Sequence, residues 1–283
     1  MKNCFLIINY NDAKSTNHLI NNIKDYKVID HILIIDNNSN TKDKEKLYSI
    51  KDKKIEIIEL ENNLGYSGAI NYGAKYIEKK YKNINLIVSN SDIVIVSEED
   101  IIRMLELLNN ELIGLVGPQI LERGIINRGC KSISPKKDFL LGVPIINGLI
   151  EDKYLYYPDN YYDNEISSVD VISSCFFMIS GELLKKINYL DENIFLFYED
   201  FVLSKKVKES GKLVVISNKV KIKHLYSSSI EKIISKKDKY KMFKESQYYY
   251  HVKYNHATKF DCFLIKMSTY LGLTFKSFYR KRK

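Results

Sequence analysis

The sequence predicts an α/β protein whose mostly parallel central sheet carries helices on both faces, followed by a basic helical C-terminal tail. Short β-branched segments alternate with helix-like segments, which is typical of consecutive βαβ units. The β-branched segments are continuous apolar runs, as expected for strands that are covered on both faces. The predicted strands of the first hundred residues are Cys4–Ile8, Ile32–Ile35, Ile55–Leu60 and Ile84–Ser89.

Apolar faces and end signals predict the remaining elements. Ser97 begins a capping box ahead of a helix predicted at Ile101–Leu108. Residues 119–168 lose this regularity, and we interpret them as a loop or small subdomain over a ligand cleft. Helix faces are formed by Leu19, Ile20 and Ile23 and by Ala69, Tyr72, Tyr76 and Ile77. The later elements are a strand over Val169–Ser180, helices over Glu182–Ile187 and Tyr198–Ser210, and strands over Leu213–Ile216 and Val220–Ile222.

The positive charge of the chain is concentrated at its C-terminal end. The 283 residues have a formal net charge of +9. Residues 230–283 contain 14 Lys and Arg residues against 4 acidic residues, so residues 1–229 are close to neutral. We therefore expect a main domain at 1–229 and a basic helical extension at 230–283. A neutral body with a basic tail favours contact with an anionic surface at one end of the molecule.

The sequence predicts a cytoplasmic location. The N-terminus continues directly into the first strand and lacks the apolar stretch of a signal peptide. No uncharged run reaches the ~18 residues of a typical membrane-spanning helix.

Three common catalytic or cofactor motifs are missing. The turn after the first strand contains no glycine, so the G-x-G-x-x-G motif of nicotinamide enzymes is absent there. Neither a Walker A sequence nor a G-x-S-x-G nucleophile elbow occurs. The sequence thus excludes nicotinamide dehydrogenases, P-loop ATPases and serine hydrolases of the α/β type.

Each of the four predicted strands is followed by a polar turn. These turns begin near Asn9, Asp36, Asn62 and Asn90. Asn, Asp and Ser are ordinary turn residues, so each turn alone has a structural explanation. Because ligands of such sheets bind beyond the carboxyl ends of the strands, the four turns together predict a polar ligand cleft.

Three carboxylates and one histidine are the candidates for chemistry. Asp92 follows a strand, Glu199 and Asp200 begin a predicted helix, and His224 ends a strand. Carboxylate and imidazole groups bind Mg²⁺ or Mn²⁺, so Asp92 and His224 can hold a metal ion that a diphosphate completes. Two simpler interpretations stay open: a core histidine at His224, and acidic residues that complement the helix dipole at Glu199 and Asp200.

Segments in the first four fifths of the chain resemble the glycosyltransferase family 2 enzymes, particularly the bacterial rhamnosyltransferase-like subset. These enzymes are inverting nucleotide-sugar transferases of the GT-A fold. The resemblance covers roughly residues 3–229 and implies a nucleotide-sugar-binding half at about 1–118 and an acceptor half at 119–229. The matching segments are Phe5–Asn11, Ile34–Ser39, Asn62–Gly73, Ser89–Asp92, Ser173–Glu182, Asp191–Asp200, and His224 with Ser227 and Ser229.

The resemblance also implies roles for individual residues. Asp200 is implied as the general base and Glu199 as a residue that orients the loop or the acceptor. A divalent cation, Mg²⁺ or Mn²⁺, is implied at Asp92 and His224. Asn90 stands where the family's D-x-D motif has its first Asp, which puts the strictness of metal dependence in question. Donor binding is implied for Asn9, Asn11, Asp36 (against the nucleobase), Asn63, Gly65, Asn71 and Asn90. Backbone amides from Gly65 to Gly68 are expected to stabilise the diphosphate.

The implied activity is transfer of a sugar from a nucleotide-diphosphate sugar to a glycan acceptor. A lipid-linked acceptor in bacterial surface polysaccharide synthesis, such as capsule or cell-envelope assembly, fits the basic tail. A non-catalytic nucleotide-sugar-binding or glycan-binding scaffold on the same fold is the alternative. Nucleic-acid binding is not predicted, because the main domain lacks a recognisable nucleic-acid-binding motif.

The tail itself is predicted to be an amphipathic helix that ends in Arg280–Lys283. It can lie on the anionic inner face of the plasma membrane, pack against the main domain, or form a homodimer. Its apolar positions recur every three or four residues and are Phe260, Phe263, Leu264, Met267, Tyr270, Leu271, Thr274, Phe275 and Phe278.

Overall fold

The computed structural model describes residues 1–50, 52–143, 150, 153–225 and 234–280, without the side chains of residues 271 and 273–280. Ser227, Ser229, the last three residues of the basic end, and the side chains of Leu271, Thr274, Phe275 and Phe278 therefore lie outside the described residues.

Ten strands of the described chain form one mixed sheet in the order β3-β2-β1-β4-β9-β6-β10-β5, with β7 paired to β6 and β8 paired to β10. The strands are β1 (Lys2–Asn9), β2 (His31–Asp36), β3 (Ile55–Glu59), β4 (Ile84–Asn90), β5 (Ile93–Val94), β6 (Ile113–Glu122), β7 (Ile125–Asn127), β8 (Ile166–Ser168), β9 (Phe176–Ser180) and β10 (Leu213–His224). The first four long strands are parallel, and β9 is antiparallel to both β4 and β6. Because β10 is parallel to β6, six long strands point the same way.

The helices lie between the strands and at the C-terminus. They are α1 (Ala13–Ile23), α2 (Thr41–Tyr48), α3 (Gly65–Lys80), α4 (Glu98–Leu107), α5 (Pro135–Leu141), α6 (Gly181–Lys186), α7 (Glu199–Glu209), α8 (Lys236–Tyr254) and α9 (Lys259–Arg280), with a 3₁₀ turn at Asp159–Tyr162. The Ser97 hydroxyl accepts a hydrogen bond from the Asp100 amide, so the predicted cap of α4 is confirmed.

Helices cover both faces of the sheet, as the continuous apolar strands predict. Successive residues of β1 enter opposite cores. Leu6 and Ile8 pack with α3 in one core, whereas Phe5 and Ile7 pack with α1 and α4 in the other. This two-sided burial confirms the α/β fold class with a central sheet.

Three of the predicted strands are wrong in extent. The apolar run Val169–Ser180 forms a strand only at Phe176–Ser180, because residues 169–175 leave the sheet and line the cavity or the core instead. The runs Leu213–Ile216 and Val220–Ile222 form the single strand β10, which absorbs the intervening residues through a register shift between Ser217 and Lys221. Local apolarity could not distinguish these cases, since burial does not require a strand.

The two C-terminal helices pack against the main domain. Tyr250 and His251 of α8 are fully buried, and Tyr250 shares a small core with Ile194, Tyr198 and Val202. Helix α9 contacts α5. Packing against the main domain, one of the three interpretations of the tail, is therefore observed for these helices. Within the described residues, no helix is long and apolar enough to cross a membrane.

Candidate active site

A cavity of about 600 Å³ opens at the carboxyl edge of the sheet. It brings together two groups of candidate residues: Asp92 with His224, and Glu199 with Asp200. The predicted site residues that line it are Asn63, Gly65, Asn90, Asp92, Glu199, Asp200 and His224.

Strand pairing brings Asp92 and His224 together. In the short antiparallel pairing of β5 with β10, His224 lies opposite Ile93, and the Leu225 amide donates to the Asp92 carbonyl. The His224 Nε2 and Asp92 Oδ1 atoms are 3.1 Å apart, and both side chains are about nine-tenths buried, with 11% and 9% exposed. The two residues that were predicted to act together are thus in contact in the structure, although 132 positions separate them in the sequence.

Glu122 lies on the other side of the His224 ring. It pairs with His224 across β6 and β10, and its Oε2 is 3.2 Å from Nδ1 of the ring. Burial lowers the pKa of His224, but hydrogen bonds and negative charge from Asp92 and Glu122 outweigh burial and leave this pKa above its usual value. A ring that donates from Nδ1 to Glu122 leaves Nε2 on the side of Asp92, and many metal-binding histidines donate their other ring nitrogen to a carboxylate in this way.

The chemistry of this donor set fits a divalent cation that is completed by substrate. A carboxylate and an imidazole suit Mn²⁺, and Mg²⁺ and Mn²⁺ commonly take further oxygens from phosphates and water. Within the described part of the chain, no group of three or more His, Cys, Asp and Glu side chains is arranged to hold a metal ion. As a candidate metal site, the pair of Asp92 and His224 would therefore need additional oxygen ligands.

Glu199 and Asp200 occupy the first turn of α7 and face the same cavity. The Ser174 hydroxyl donates to Glu199 Oε1 at 2.9 Å, whereas Oε2 of Glu199 is buried and has no hydrogen-bond partner among the described residues. Burial raises the pKa of Asp200, and the negative charge of Glu199 raises it further. Burial also raises the pKa of Glu199. Raised carboxylate pKa values of this kind are typical of acid–base sites.

Gly65 packs against Phe195, in the segment that leads to Glu199 and Asp200. Its φ of +73° is a left-handed conformation, and a Cβ there would lie 2.6 Å from the Phe195 carbonyl oxygen. The Leu64, Gly65 and Tyr66 amides donate to Asn37, Asn63 and the Phe195 carbonyl, respectively. The expectation that amides from Gly65 onward face a diphosphate is therefore wrong for Gly65 and Tyr66, since protein acceptors already occupy them.

Asn9, Asn11 and Asp36 form the framework behind the cavity and do not line it. The side chains of Asn9 and Asp36 are fully buried and hydrogen-bonded at 2.8 Å. Asp36 also accepts from the amide and hydroxyl of Ser39, and Asn11 accepts from the Asn40 amide. These contacts fix the loops that follow β1 and β2. Direct donor contact by these three residues stays a prediction.

Asn71 is directed away from the cavity. Its amide group donates to the Leu190 carbonyl at 3.0 Å and accepts from the Leu190 amide at 3.0 Å. It therefore fastens the loop at 188–193 to α3 and does not line the cavity.

Several cavity residues were not singled out from the sequence. Asn37 donates to Asn63 and the Gly65 carbonyl, and its position directly after Asp36 at a strand end was the signal that could have identified it. Tyr10, Tyr66, Phe195 and Tyr198 lie within the segments that carry the family resemblance, but their side chains were not assigned a role. Asp138, Phe243, Lys244 and Gln247 had no local signal, because the fold brings them from distant segments.

Two solved structures that contain Mn²⁺ share this fold. The chain superposes with a TM-score of 0.59 on a mannosyltransferase from Pyrobaculum calidifontis in complex with GDP-Man and Mn²⁺, at 11% identity, covering 95% of this chain and 69% of that one. It superposes equally well, at 0.59, on GalNAc-T7 with UDP, GalNAc and Mn²⁺, at 14% identity, covering 80% of this chain and 44% of that one. At these identities the likeness shows the GT-A fold.

Residues 4–187 match the model of glycosyl transferase family 2, and the chain belongs to that family. The chain is also similar to the low-salt glycan biosynthesis hexosyltransferase Agl10 of Haloferax volcanii, with 24% identity over 195 residues, or 69% of this chain. That alignment spans 58% of the archaeal protein. The family match ends before Glu199, Asp200 and His224, so these residues rest on their geometry.

Proposed function

We propose that the protein is an inverting glycosyltransferase that moves a sugar from a nucleotide-diphosphate sugar to a glycan acceptor. The observation that carries this proposal is that a carboxylate–histidine pair and an acidic pair line one cavity at the carboxyl edge of the sheet. Transfer needs both groups: one for the departing diphosphate and one for the acceptor hydroxyl.

In the proposed reaction, Asp200 accepts the proton of an acceptor hydroxyl. The oxygen then attacks the anomeric carbon while the bond from that carbon to the diphosphate oxygen breaks, so that configuration inverts and a nucleoside diphosphate leaves. The transition state has oxocarbenium character, as in glycoside hydrolysis. The unpartnered Oε2 of Glu199 is available to accept a hydrogen bond from a second acceptor hydroxyl.

Asp92 and His224 would hold the divalent cation, with Glu122 behind the imidazole. The cation would supply charge neutralisation for the diphosphate leaving group. Tyr10, Asn37, Asn63 and Asn90 line the same cavity and are proposed to contact the donor.

The experiment that tests this function is a donor panel. The purified protein is incubated with Mn²⁺ or Mg²⁺ and UDP-glucose, UDP-galactose, UDP-N-acetylglucosamine, GDP-mannose or dTDP-rhamnose, and release of the nucleoside diphosphate is recorded. We expect turnover of one donor or a few; the dTDP-rhamnose arm tests the resemblance to the rhamnosyltransferase-like subset. A donor that protects the protein against melting without being turned over supports the non-catalytic alternative.

The pH dependence of turnover should depend on Glu199. The base form of Asp200 is its carboxylate, and activity is therefore lost as the pH falls through a pKa that burial and Glu199 both raise. Glu199→Gln removes the negative neighbour but keeps the burial. We expect the acid limb of the rate profile, measured from pH 5 to 9, to move to lower pH by about 1 unit.

Glu192→Gln is the matched control for this shift. Glu192 is an exposed acid of the preceding loop, 3.7 Å from Lys75, and does not line the cavity. Its acid limb should coincide with that of the wild type. An unshifted limb in Glu199→Gln would contradict coupling between the two carboxylates.

We further propose that α9 holds the enzyme at an anionic membrane surface, beside a lipid-linked acceptor on the cytoplasmic side. One side of α9, with Asp261, Ile265 and Ser268, is buried. On its exposed side, Phe260 and Phe263 are each 60% exposed and Tyr270 is 69% exposed. Aromatic residues within a segment of net charge +10 are suited to an anionic lipid interface.

Vesicle binding tests the role of α9. We expect the variant Phe260→Ser/Phe263→Ser to sediment less with phosphatidylglycerol vesicles than the wild type, and neither protein to sediment with phosphatidylcholine. Ile125→Ser, at an apolar residue that is 73% exposed on β7, is the matched control and should bind as the wild type does. Unchanged sedimentation of the double variant would refute the membrane role, and loss of a dimer in the same variant would assign the face to self-association.

A further inference from the structure

The turn that carries Glu199 and Asp200 into the cavity has an unusual backbone. Phe197 and Tyr198, the two residues before α7, have φ values of +69° and +65°. Residues other than glycine are disfavoured in this left-handed region, because their Cβ atom clashes with the backbone. Two consecutive residues of this kind persist only where surrounding contacts hold them, and such strain is concentrated at functional sites.

The Tyr198 side chain is the anchor of this turn. Its ring is 5% exposed and packs against the rings of Phe201, Phe243 and Tyr250, with centroid distances of 5.0, 5.3 and 5.4 Å. Its hydroxyl donates to Asp138 Oδ2 at 2.6 Å. Phe243 and Tyr250 belong to α8, so the C-terminal helix forms one wall of the anchor.

Asp138 connects this anchor to α8 by a second hydrogen bond. The Nε2 atom of His251, a residue of α8 with no exposed surface, lies 2.6 Å from the same Oδ2 atom of Asp138. The Asn255 side-chain amide lies 3.1 Å from Nδ1 of His251 and also donates to the Ile133 carbonyl at 2.9 Å. Because the Asn255 amide nitrogen is a donor, Nδ1 accepts and Nε2 donates to Asp138.

The contacts therefore form one chain from the C-terminal helix to the acidic pair: Asn255, His251, Asp138, Tyr198, and then Glu199 and Asp200. Every link between side chains is a hydrogen bond of 3.1 Å or less between buried or partly buried groups. Asp138 and Tyr198 also line the cavity, whereas His251 lies behind them.

We infer that Tyr198, Asp138 and His251 are positioning residues, which hold the strained turn so that Asp200 meets the acceptor oxygen. This inference rests on the proposed role of Asp200 as the base. It gives the C-terminal segment, which lies beyond the family match at 4–187, a part in the reaction. A misplaced catalytic group loses rate while the donor still binds, because the donor contacts lie elsewhere in the cavity.

The test compares two tyrosine variants with the wild type, using release of nucleoside diphosphate from the donor that the wild type turns over. Tyr198→Phe keeps the ring and removes only the hydroxyl. Tyr254→Phe is the matched control, since its hydroxyl also donates to a buried carboxylate, Asp191 Oδ2, at 2.7 Å, away from the cavity. We expect Tyr198→Phe to lower kcat about ten- to a hundredfold with the donor KM unchanged. Tyr254→Phe should lower the Tm about as much as Tyr198→Phe does, but it should leave kcat unchanged.

Two variants at His251 separate positioning from folding. His251→Leu removes the donor to Asp138 and should lower kcat as Tyr198→Phe does, whereas His251→Gln retains an N–H donor and should restore part of the rate. The effects of Tyr198→Phe and His251→Leu should be less than additive, because both break the same chain.

Two results overturn the inference. One is a folded Tyr198→Phe protein with the kcat of the wild type, and the other is an equal loss of kcat in Tyr254→Phe. In both cases a wild type that turns over its donor leaves the proposed function intact. A wild type that turns over no donor of the panel instead contradicts the proposed function itself.

Discussion

Replacement of Asp200 by asparagine should reduce sugar transfer about 10²- to 10⁴-fold, the usual contribution of a general base. The amide has nearly the same shape as the carboxylate, so it can still accept a hydrogen bond from the Phe201 amide, as Asp200 Oδ1 does at 2.9 Å. It cannot accept the acceptor proton. Donor and Mn²⁺ affinities, measured by calorimetry, should therefore stay close to those of the wild type while the turnover rate falls.

Asp170→Asn is a suitable control for the removal of one carboxylate charge. Asp170 is paired with Lys208 and does not line the cavity. It should retain the turnover rate of the wild type, even if some stability is lost. An Asp200→Asn protein that keeps more than a tenth of the wild-type rate would remove Asp200 from the role of base.

Asp92→Ala and His224→Ala should each weaken Mn²⁺ binding about 100-fold or more, and donor binding should weaken with it. Each change removes one of only two protein ligands at the proposed site, and even residues behind a metal ligand typically contribute 10- to 100-fold in affinity. Glu122→Gln, which perturbs the ring from its Nδ1 side, should have a smaller effect of about tenfold. Titration of Mn²⁺ in the presence of the nucleoside diphosphate measures all three.

The control for these variants is Asp159→Ala. Asp159 is fully exposed, pairs with Arg128 at 2.9 Å and does not line the cavity. Its Mn²⁺ affinity should equal that of the wild type. If Asp92→Ala and His224→Ala fold normally and bind Mn²⁺ as the wild type does, the two residues do not form the metal site.

The sheet and the edge that carries the site were accessible from sequence. The four apolar runs became β1 to β4, and the polar turns after them meet at one edge, where Asn9 lies beside Asp36 and Ile8 beside Asn90 in the strand register. Strand formation by apolar β-branched runs is largely local, and parallel pairing then aligns their carboxyl ends. These two facts made the location of a polar cleft predictable.

Which polar residues line the cavity and which have structural roles could not be predicted from sequence in the same way. Asn9, Asn63 and Asn90 are the same residue type at or soon after the ends of strands, and Asn71 lies within α3. Asn63 and Asn90 line the cavity, Asn9 is buried in a hydrogen-bond network behind it, and Asn71 holds the Leu190 backbone. Which direction a side chain takes depends on the partners that the fold provides, and sequence spacing does not specify them.

The sequence by itself determined the α/β class, the polar edge of the sheet and the residue types needed for metal binding and proton transfer, because these follow from local apolar pattern and side-chain chemistry. Only the tertiary structure decided that Asp92 meets His224, that Glu122 lies behind the imidazole, and that α8 anchors the turn before Glu199. These contacts join residues 45 to 132 positions apart. They depend on strand register and on helix packing, and both are fixed only when the whole core is assembled.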